Sequence, residues 1–302
     1  MKALPIAAGA LGMVFVGGSV AVSGHLTAAP LSTIQALRYA LACLLLVAYA
    51  RWCRTPVRVA KGTEWAWLAA VTGSGLLLFN YALVKGAAHA EPAVLGVAVA
   101  CVPILLALGG PLLEGHGPAP RVVAAAIVVT AGAALVQGLG RTDATGLFWA
   151  AVTFACEACF TLFAVPVLRT HGPLGVSVHT TGLAAAGFGL LGVVLDGPAA
   201  VTRLTAGELI AGVYLAVGVT ACAFLLWYTC VTRLGAGRAG LLTGVAPVSA
   251  ALTGVLLGGP FPAAPVWLGI GTVAGGLALG LTARDRVHAA EPAQAAGAAP
   301  RR

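Results

Sequence analysis

Two ionisable side chains lie inside apolar stretches of this sequence, where a charge is costly. Arg38 falls within the apolar segment 31–50, and Glu157 falls at the middle of segment 145–167. A charge at the centre of a membrane-spanning helix costs roughly 2.5–3.5 kcal/mol, so such residues mark functional sites by default. We interpret Arg38 as a group that meets an anion, and Glu157 as a group that carries a proton or meets an amine. The alternative is a structural salt bridge, or an Arg38 side chain that extends to the membrane surface.

Polar and aromatic residues near these charges complete the predicted substrate site. Asn80 is the only asparagine in the chain, and it lies in an apolar segment beside Tyr81. A carboxamide in lipid must find a hydrogen-bond partner, so Asn80 either lines a cavity or bonds to an adjacent helix. Trp227 and Tyr228 lie at the matching positions later in the chain, either to stack on a substrate or to anchor the cytoplasmic interface. The predicted substrate-binding residues are Arg38, Asn80, Tyr81, Glu157, Trp227 and Tyr228, with proton coupling through Glu157.

Two prolines lie in the middle of apolar segments. Pro103 and Pro247 remove the backbone hydrogen bonds that would reach the carbonyls of Val99 and Thr243. Freed carbonyls are tolerated at membrane depth where they face protein or a water-filled cavity. The sequence therefore predicts kinks at these prolines, in helices that either line a cavity or only bend to fit their neighbours.

Other chemistries have little support in the sequence. It has no P-loop, no HExxH and no GxSxG motif. Cys156 and Cys159 form a CxxC pair without a second pair, at mid-membrane depth, so zinc or redox chemistry is not expected there. We expect no enzymatic activity, no metal and no cofactor, and the energy for any transport must come from a gradient or from a partner subunit.

The composition indicates that these residues lie in a membrane. Hydrophobic residues make up 60% of the chain and charged residues 9%, whereas soluble domains carry about 25% charged residues. Apolar segments of the length that crosses a bilayer follow one another to residue 282. The sequence predicts an all-α integral membrane protein with ten transmembrane helices, at 4–22, 31–50, 64–84, 92–113, 121–138, 145–167, 173–195, 207–230, 239–258 and 265–282.

The basic residues predict the orientation. Of the 17 Lys and Arg residues, alternating helices place 13 on the side of the N-terminus, while only Lys85, Arg141 and Arg203 fall on the other side. Cytoplasmic loops carry such an excess, so both termini are expected in the cytoplasm and the protein in the plasma membrane. Because topology explains the basic excess, we expect no nucleic-acid partner. The tail 283–302 is rich in Ala and Pro and is expected to be disordered.

The two halves of the chain resemble each other. Residues 79–138 match residues 226–281 with an offset of 143 to 147 residues, including the two mid-helix prolines. Each half holds five predicted helices, an odd number, so the second half would enter the membrane from the opposite side. Such inverted repeats place a substrate site near the midplane between the halves. The predicted division is a first repeat at 1–140, a second at 141–282 and the tail at 283–302.

This pattern resembles the EamA-type transporters of the drug/metabolite transporter superfamily, from about residue 4 to residue 282. The matching features, in order, are Pro30 before Arg38, Tyr81 and Tyr228 before short loops, Pro103 and Pro247, and Leu113-Glu114 before a Gly-rich helix. The resemblance implies transport of amino acids and other small metabolites without ATP hydrolysis. One departure is Gly258, where the family commonly has Glu.

The function predicted from the sequence is therefore a secondary transporter that exports small metabolites such as amino acids by alternating access, with proton coupling. Its expected partners are a small-molecule substrate and the lipid bilayer, and the protein would be a monomer or a homodimer. The alternatives are a non-transporting membrane assembly or structural protein and an intramembrane enzyme.

Overall fold

The computed structural model describes residues 3–23, 26, 29–258 and 261–282. Within them, nine helices are long and apolar enough to cross a membrane, and the apolar helix Ala3–Ser23 precedes them. The all-α membrane fold is thereby confirmed, while the tenth crossing stays a prediction and the tail 283–302 lies outside the described residues. The helices are α1 (Ala3–Ser23), α2 (Leu31–Trp52), α3 (Thr63–Ala87), α4 (Pro92–Leu113), α5 (Pro120–Gln137), α6 (Ala144–Leu162), α7 (Val165–Asp196), α8 (Ala206–Leu234), α9 (Ala236–Leu256) and α10 (Ala264–Leu281).

The predicted junction between the sixth and seventh helices, from residue 167 to residue 173, was wrong. Helix α6 ends at Leu162 rather than at residue 167, and α7 begins at Val165 with Pro166 in its first turn. Proline is well tolerated in a first turn, because its missing N–H has no partner there in any case. Helix α7 then breaks at Gly172, whose φ of 65° suits glycine. Residues 165–167, predicted as the end of one helix, therefore start the next.

The helices pack in pairs drawn from the two predicted halves. Helix α5 packs on α10, α2 on α7, and α4 on α9. Helix α1 packs on α8 and α9, and its counterpart α6 packs on α3 and α4. Three of these pairs join helices five positions apart, and the partners of α6 are the counterparts of the partners of α1, as two inverted repeats would produce. The division at residue 140 remains a prediction.

The most extensive of these contacts joins α5 and α10, through glycines. A Cβ added at Gly269 would lie 2.6 Å from the carbonyl oxygen of Gly132, and one at Gly132 would lie 2.7 Å from the backbone nitrogen of Val273. Backbone atoms cannot turn aside as a flexible side chain can. Small residues are thus required where the two helices cross, as is common between membrane helices.

Substitution of Gly269 with alanine is expected to destabilise the fold by about 1–3 kcal/mol, because the added methyl group overpacks this crossing. Gly271 lies two residues further along α10 and has open space around its Cβ position, so Gly271→Ala provides a matched control. It should leave stability unchanged or raise it by up to about 1 kcal/mol through helix propensity. Melting of the two purified variants measures the difference, and equal melting temperatures would contradict the close packing.

Polar contacts join loops that helix alternation places on the same side of the membrane. The α3–α4 loop meets the α5–α6 loop, where Arg141 Nε donates to Glu91 Oε1 at 2.8 Å and lowers the pKa of that carboxyl. Asp143 caps α6 by accepting the Gly146 N–H at 2.7 Å, and this bond, with His89 adding to it, lowers the Asp143 pKa. Such contacts agree with alternating helices, while the sidedness itself stays a prediction.

Candidate functional site

Two π-helical segments lie next to the polar residues of the protein interior. Val71–Leu78 in α3 and Leu215–Cys222 in α8 are π-helical, and they are offset by 144 residues, within the range of the repeat offset. A π-helical turn holds an extra residue and is frequently found at functional sites. Thr220 lies in the second turn, and Asn80 follows the first by two residues. Residues in or beside both turns join one chain of hydrogen bonds, from Asn80 through Gln35 and Arg38 to Thr220.

Asn80 is the centre of a buried hydrogen-bond network. Its Oδ1 accepts from Gln35 Nε2 at 2.7 Å, and its Nδ2 donates to the Leu76 carbonyl at 2.7 Å and to the Tyr39 hydroxyl at 3.3 Å. Asn80, Gln35 and Tyr39 are all buried. The carboxamide therefore bonds to an adjacent helix, α2, one of the two roles expected for it. The network fixes the orientation of both amides.

Arg38 extends this network toward the second half of the chain. Its Nη1 donates to Gln35 Oε1 at 3.2 Å, and its Nε donates to Thr220 Oγ1 at 2.8 Å. The guanidinium carbon also lies 5.1 Å from the centre of the Tyr39 ring. Among the described residues no carboxylate lies within 4 Å of Arg38. Neutral groups hold this cation in place and leave its charge unbalanced.

Glu157 differs from the other acidic residues of the described chain in its lack of a polar partner. The other six are held by hydrogen bonds or ion pairs, namely Glu64, Glu91, Glu114, Asp143, Asp196 and Glu208. Glu157 has no such bond to a described residue, and it does not pair with Arg38. Its side chain is only partly buried, so packed side chains do not enclose it completely.

Trp227 and Tyr228 are interior residues, so the interfacial alternative for them was wrong. Only 3% of Trp227 and none of Tyr228 is exposed. Trp227 Nε1 donates to Thr161 Oγ1 at 2.9 Å, and Tyr228 stacks on Phe160 with ring centres 5.2 Å apart. Thr161 lies one helical turn after Glu157, so these rings pack against the helix that carries the carboxyl.

The structure does not bring Tyr81 to the same network. Its ring is 44% exposed, meets Trp149 edge-on, and lies 5.5 Å from the Lys85 ammonium. Consecutive residues of a helix point about 100° apart. Tyr81 therefore faces away when its neighbour Asn80 faces inward.

The two prolines follow interruptions in equivalent helices. Helix α4 is interrupted at Cys101, two residues before Pro103. Helix α9 contains a 3₁₀ turn at Leu242–Gly244, three residues before Pro247 at its nearest point. Proline has no N–H and its ring clashes with the carbonyl four residues earlier, so a regular helix cannot pass through unchanged.

The network contains three residues that were not predicted from the sequence as site residues, Gln35, Tyr39 and Thr220. Gln35 precedes Arg38 by three residues, and side chains at that spacing share a helix face. Its polarity in an apolar helix was an available signal. Thr220 gave no comparable signal, because threonine is common in membrane helices and can satisfy its own hydroxyl, here on the Leu215 carbonyl at 2.9 Å. Among the described residues, no three His, Cys, Asp or Glu side chains are grouped as metal ligands.

Substitution of Asn80 with leucine should lower stability by about 1–2 kcal/mol, because hydrogen bonds between membrane helices average about 0.6 kcal/mol each. The change leaves the Gln35 amide and the Tyr39 hydroxyl without their partner. Tyr81→Leu at the exposed neighbouring position is the control and should melt within about 0.5 kcal/mol of the parent. Thermal melts in one detergent measure both, and an unchanged Asn80→Leu melt would show that the network is not a stabilising unit.

Comparison with known proteins finds a family match in the second half of the chain. Residues 144–282 match the EamA-like transporter family. The resemblance noted in the sequence is thereby confirmed, with a direct match that spans α6 to α10.

Two further similarities cover more of the chain. "Uncharacterized transporter YetK" of Bacillus subtilis (strain 168) is 28% identical over 221 residues, which span 68% of this chain and 64% of that protein. A protein of known crystal structure superposes with a TM-score of 0.78 at 19% identity, over 93% of this chain and 98% of its own. The structural likeness shows the shared fold. Together, the family match and the nine candidate spans of the described residues support a multi-pass membrane protein.

Proposed function

We propose that this chain is a secondary transporter that exports small metabolites, such as amino acids, across the plasma membrane by alternating access and with proton coupling. The observation that carries the proposal is the pair of unbalanced interior charges, Arg38 and Glu157. Charges in membrane helices are costly to keep, and neither of these is neutralised by a described residue.

Arg38 is proposed to bind an anionic group of the substrate. Two of its nitrogens are held by Thr220 and Gln35, and a guanidinium has five N–H donors. The donors that remain can meet a carboxylate in the bidentate geometry that arginine favours. Gln35 and Asn80 position the guanidinium rather than contact the substrate themselves, and Tyr81 contributes less than the sequence suggested.

Glu157 is proposed to carry the coupled proton or to meet the substrate amine. A carboxylate away from water and without a cation is unfavourable, whereas its protonated form is neutral. Because the side chain is only partly buried, we propose that its proton exchanges with each side of the membrane in turn as the carrier alternates. Trp227 and Tyr228 would form the packed wall next to it.

Movement is proposed to involve the paired helices of the two halves. Helices α4 and α9 pack on each other, and each is interrupted close to its proline. Interrupted helices at the interface between repeats are typical of alternating-access carriers. The same proposal places both termini in the cytoplasm and makes the protein a monomer or a homodimer. It includes no nucleic-acid partner, no cofactor and no enzymatic activity.

Transport by reconstituted vesicles tests this function. The purified chain is placed in vesicles loaded with a panel of amino acids and related metabolites, with and without a pH gradient across the membrane. We expect release of at least one zwitterionic or anionic metabolite that a pH gradient accelerates. Release at the rate of empty vesicles for every compound would favour an assembly protein, and conversion of a compound into another would favour an enzyme.

A further inference from the structure

A cavity of about 530 Å³ opens at the end of the molecule where α4, α7, α8 and α9 meet. The charge asymmetry of the sequence predicts that this end faces the cytoplasm. Its volume lies within the range of about 300–1,000 Å³ that small-molecule sites occupy. The cavity is separate from the network around Arg38 and Asn80, none of whose residues lines it.

Three guanidinium groups line this cavity, from Arg169, Arg233 and Arg238. Arg169 Nη2 donates to the backbone carbonyl of Glu114 at 3.3 Å, and Arg233 forms no hydrogen bond or ion pair with a described residue. Like charges that share a cavity repel each other, so an anion between them is stabilised.

The one acidic residue in the lining, Glu114, is already engaged. Its Oε1 accepts the Ala236 N–H at 2.7 Å, and its Oε2 lies 3.2 Å from His116 Nε2. The carboxylate thus caps the start of α9 and meets a histidine, which leaves it little capacity to neutralise the arginines. Among the described lining residues, Arg169 and Arg233 outnumber this one carboxylate, so the described lining keeps a net positive charge.

The inner wall of the cavity is apolar and buried. Val165, Leu168 and Val231 contribute to it, and at most 5% of each is exposed. A ligand that fits this combination has an oxyanion at the arginines and a small apolar part against the wall. Arginine recognises carboxylate and phosphate oxygens with charge-assisted bonds, often two at a time.

We propose that this cavity is a binding site for oxyanions, a phosphate or carboxylate carried by a soluble molecule or by a lipid headgroup. The site is independent of the proposed transport function, because occupancy requires neither a gradient nor Glu157. Arg169 and Arg233 are its principal contacts.

Binding is tested with the full chain in lipid-free detergent, by calorimetric titration of inorganic phosphate and of citrate. A second arm incubates the same protein with phosphatidylglycerol or with phosphatidylcholine and counts retained lipids by native mass spectrometry. The site variant is Arg169→Gln/Arg233→Gln, with Arg233→Gln alone as a milder change. The control Arg51→Gln/Arg58→Gln removes the same charge from the same predicted side of the membrane, outside the cavity.

The parent and the control should bind one of these oxyanions saturably and within about twofold of each other, while the double site variant binds it about tenfold or more weakly. Binding of citrate or phosphate would identify a soluble ligand, and selective retention of phosphatidylglycerol would identify a lipid. Either result supports the site. Equal loss in the control, or no saturable binding of any probe by the parent, would overturn it. Arg233→Gln, with no described contact to disturb, should show an intermediate loss if both arginines bind the anion.

Discussion

Replacement of Arg38 with methionine is expected to reduce transport at least 100-fold without lowering the stability of the protein. The substitution keeps the length and apolar volume of the side chain but removes the charge. A charge-assisted hydrogen bond contributes about 1.5–3 kcal/mol, and the proposed site makes two of them to the substrate. Burial of the guanidinium costs roughly 2.5–3.5 kcal/mol in return, so its removal releases that cost. Vesicle transport and thermal melting of the same preparation measure both effects.

Arg38→Lys separates charge from geometry. Lysine keeps the positive charge but cannot form the paired bonds of a guanidinium, so we expect partial activity. Arg203→Met, on an exposed loop where the guanidinium donates to the Asp196 carbonyl, is the control and should transport as the parent does. A fall of several degrees in the melting temperature of Arg38→Met, with transport retained in the folded fraction, would instead assign Arg38 to structure.

Replacement of Glu157 with glutamine is expected to abolish transport driven by a pH gradient while substrate exchange without a gradient continues. Glutamine has the same shape but no titrating proton, so the carrier can still move between its two open states with substrate bound. We expect at least a 10-fold loss of gradient-driven accumulation and less than a 3-fold change in exchange, since only the proton step depends on this group. Counterflow of labelled substrate and concentrative uptake, measured in one vesicle batch, separate the two.

Glu91→Gln is the matched control for this change. It removes a carboxyl of the same length from a loop, where the carboxyl is paired with Arg141. Its concentrative uptake should stay within about twofold of the parent. If Glu157→Gln accumulates substrate as the parent does, Glu157 carries no proton, and if both activities vanish in a folded protein, the carboxyl binds substrate.

Much of the fold followed from the sequence because lipid imposes strict rules on a chain. Runs of apolar residues of bilayer length become helices, since every backbone group must be satisfied within its own segment. The missed boundary between α6 and α7 lies between Leu162 and Val165, where the apolar pattern of the sequence continues across the break.

The candidate site was less predictable, and the reason is packing. Arg38, Asn80 and Glu157 stand out in the sequence because each is polar where its neighbours are apolar. The π-helical turns in α3 and α8 carry no residue signature, so Thr220 could not be placed opposite Arg38. Trp227 and Tyr228 sit late in an apolar run, a position that suits an interface as well as an interior, and their burial depends on α6 lying against them.

The most direct test of this account is the movement of protons together with substrate. Vesicles that hold a pH-sensitive dye and the wild-type chain receive the substrate identified from the metabolite panel, with no other gradient applied. We predict an internal pH change that follows substrate addition, saturates with substrate and disappears in Glu157→Gln. Substrate movement by the wild-type chain with no pH change, or the same pH change in Glu157→Gln, would contradict proton coupling through this carboxyl.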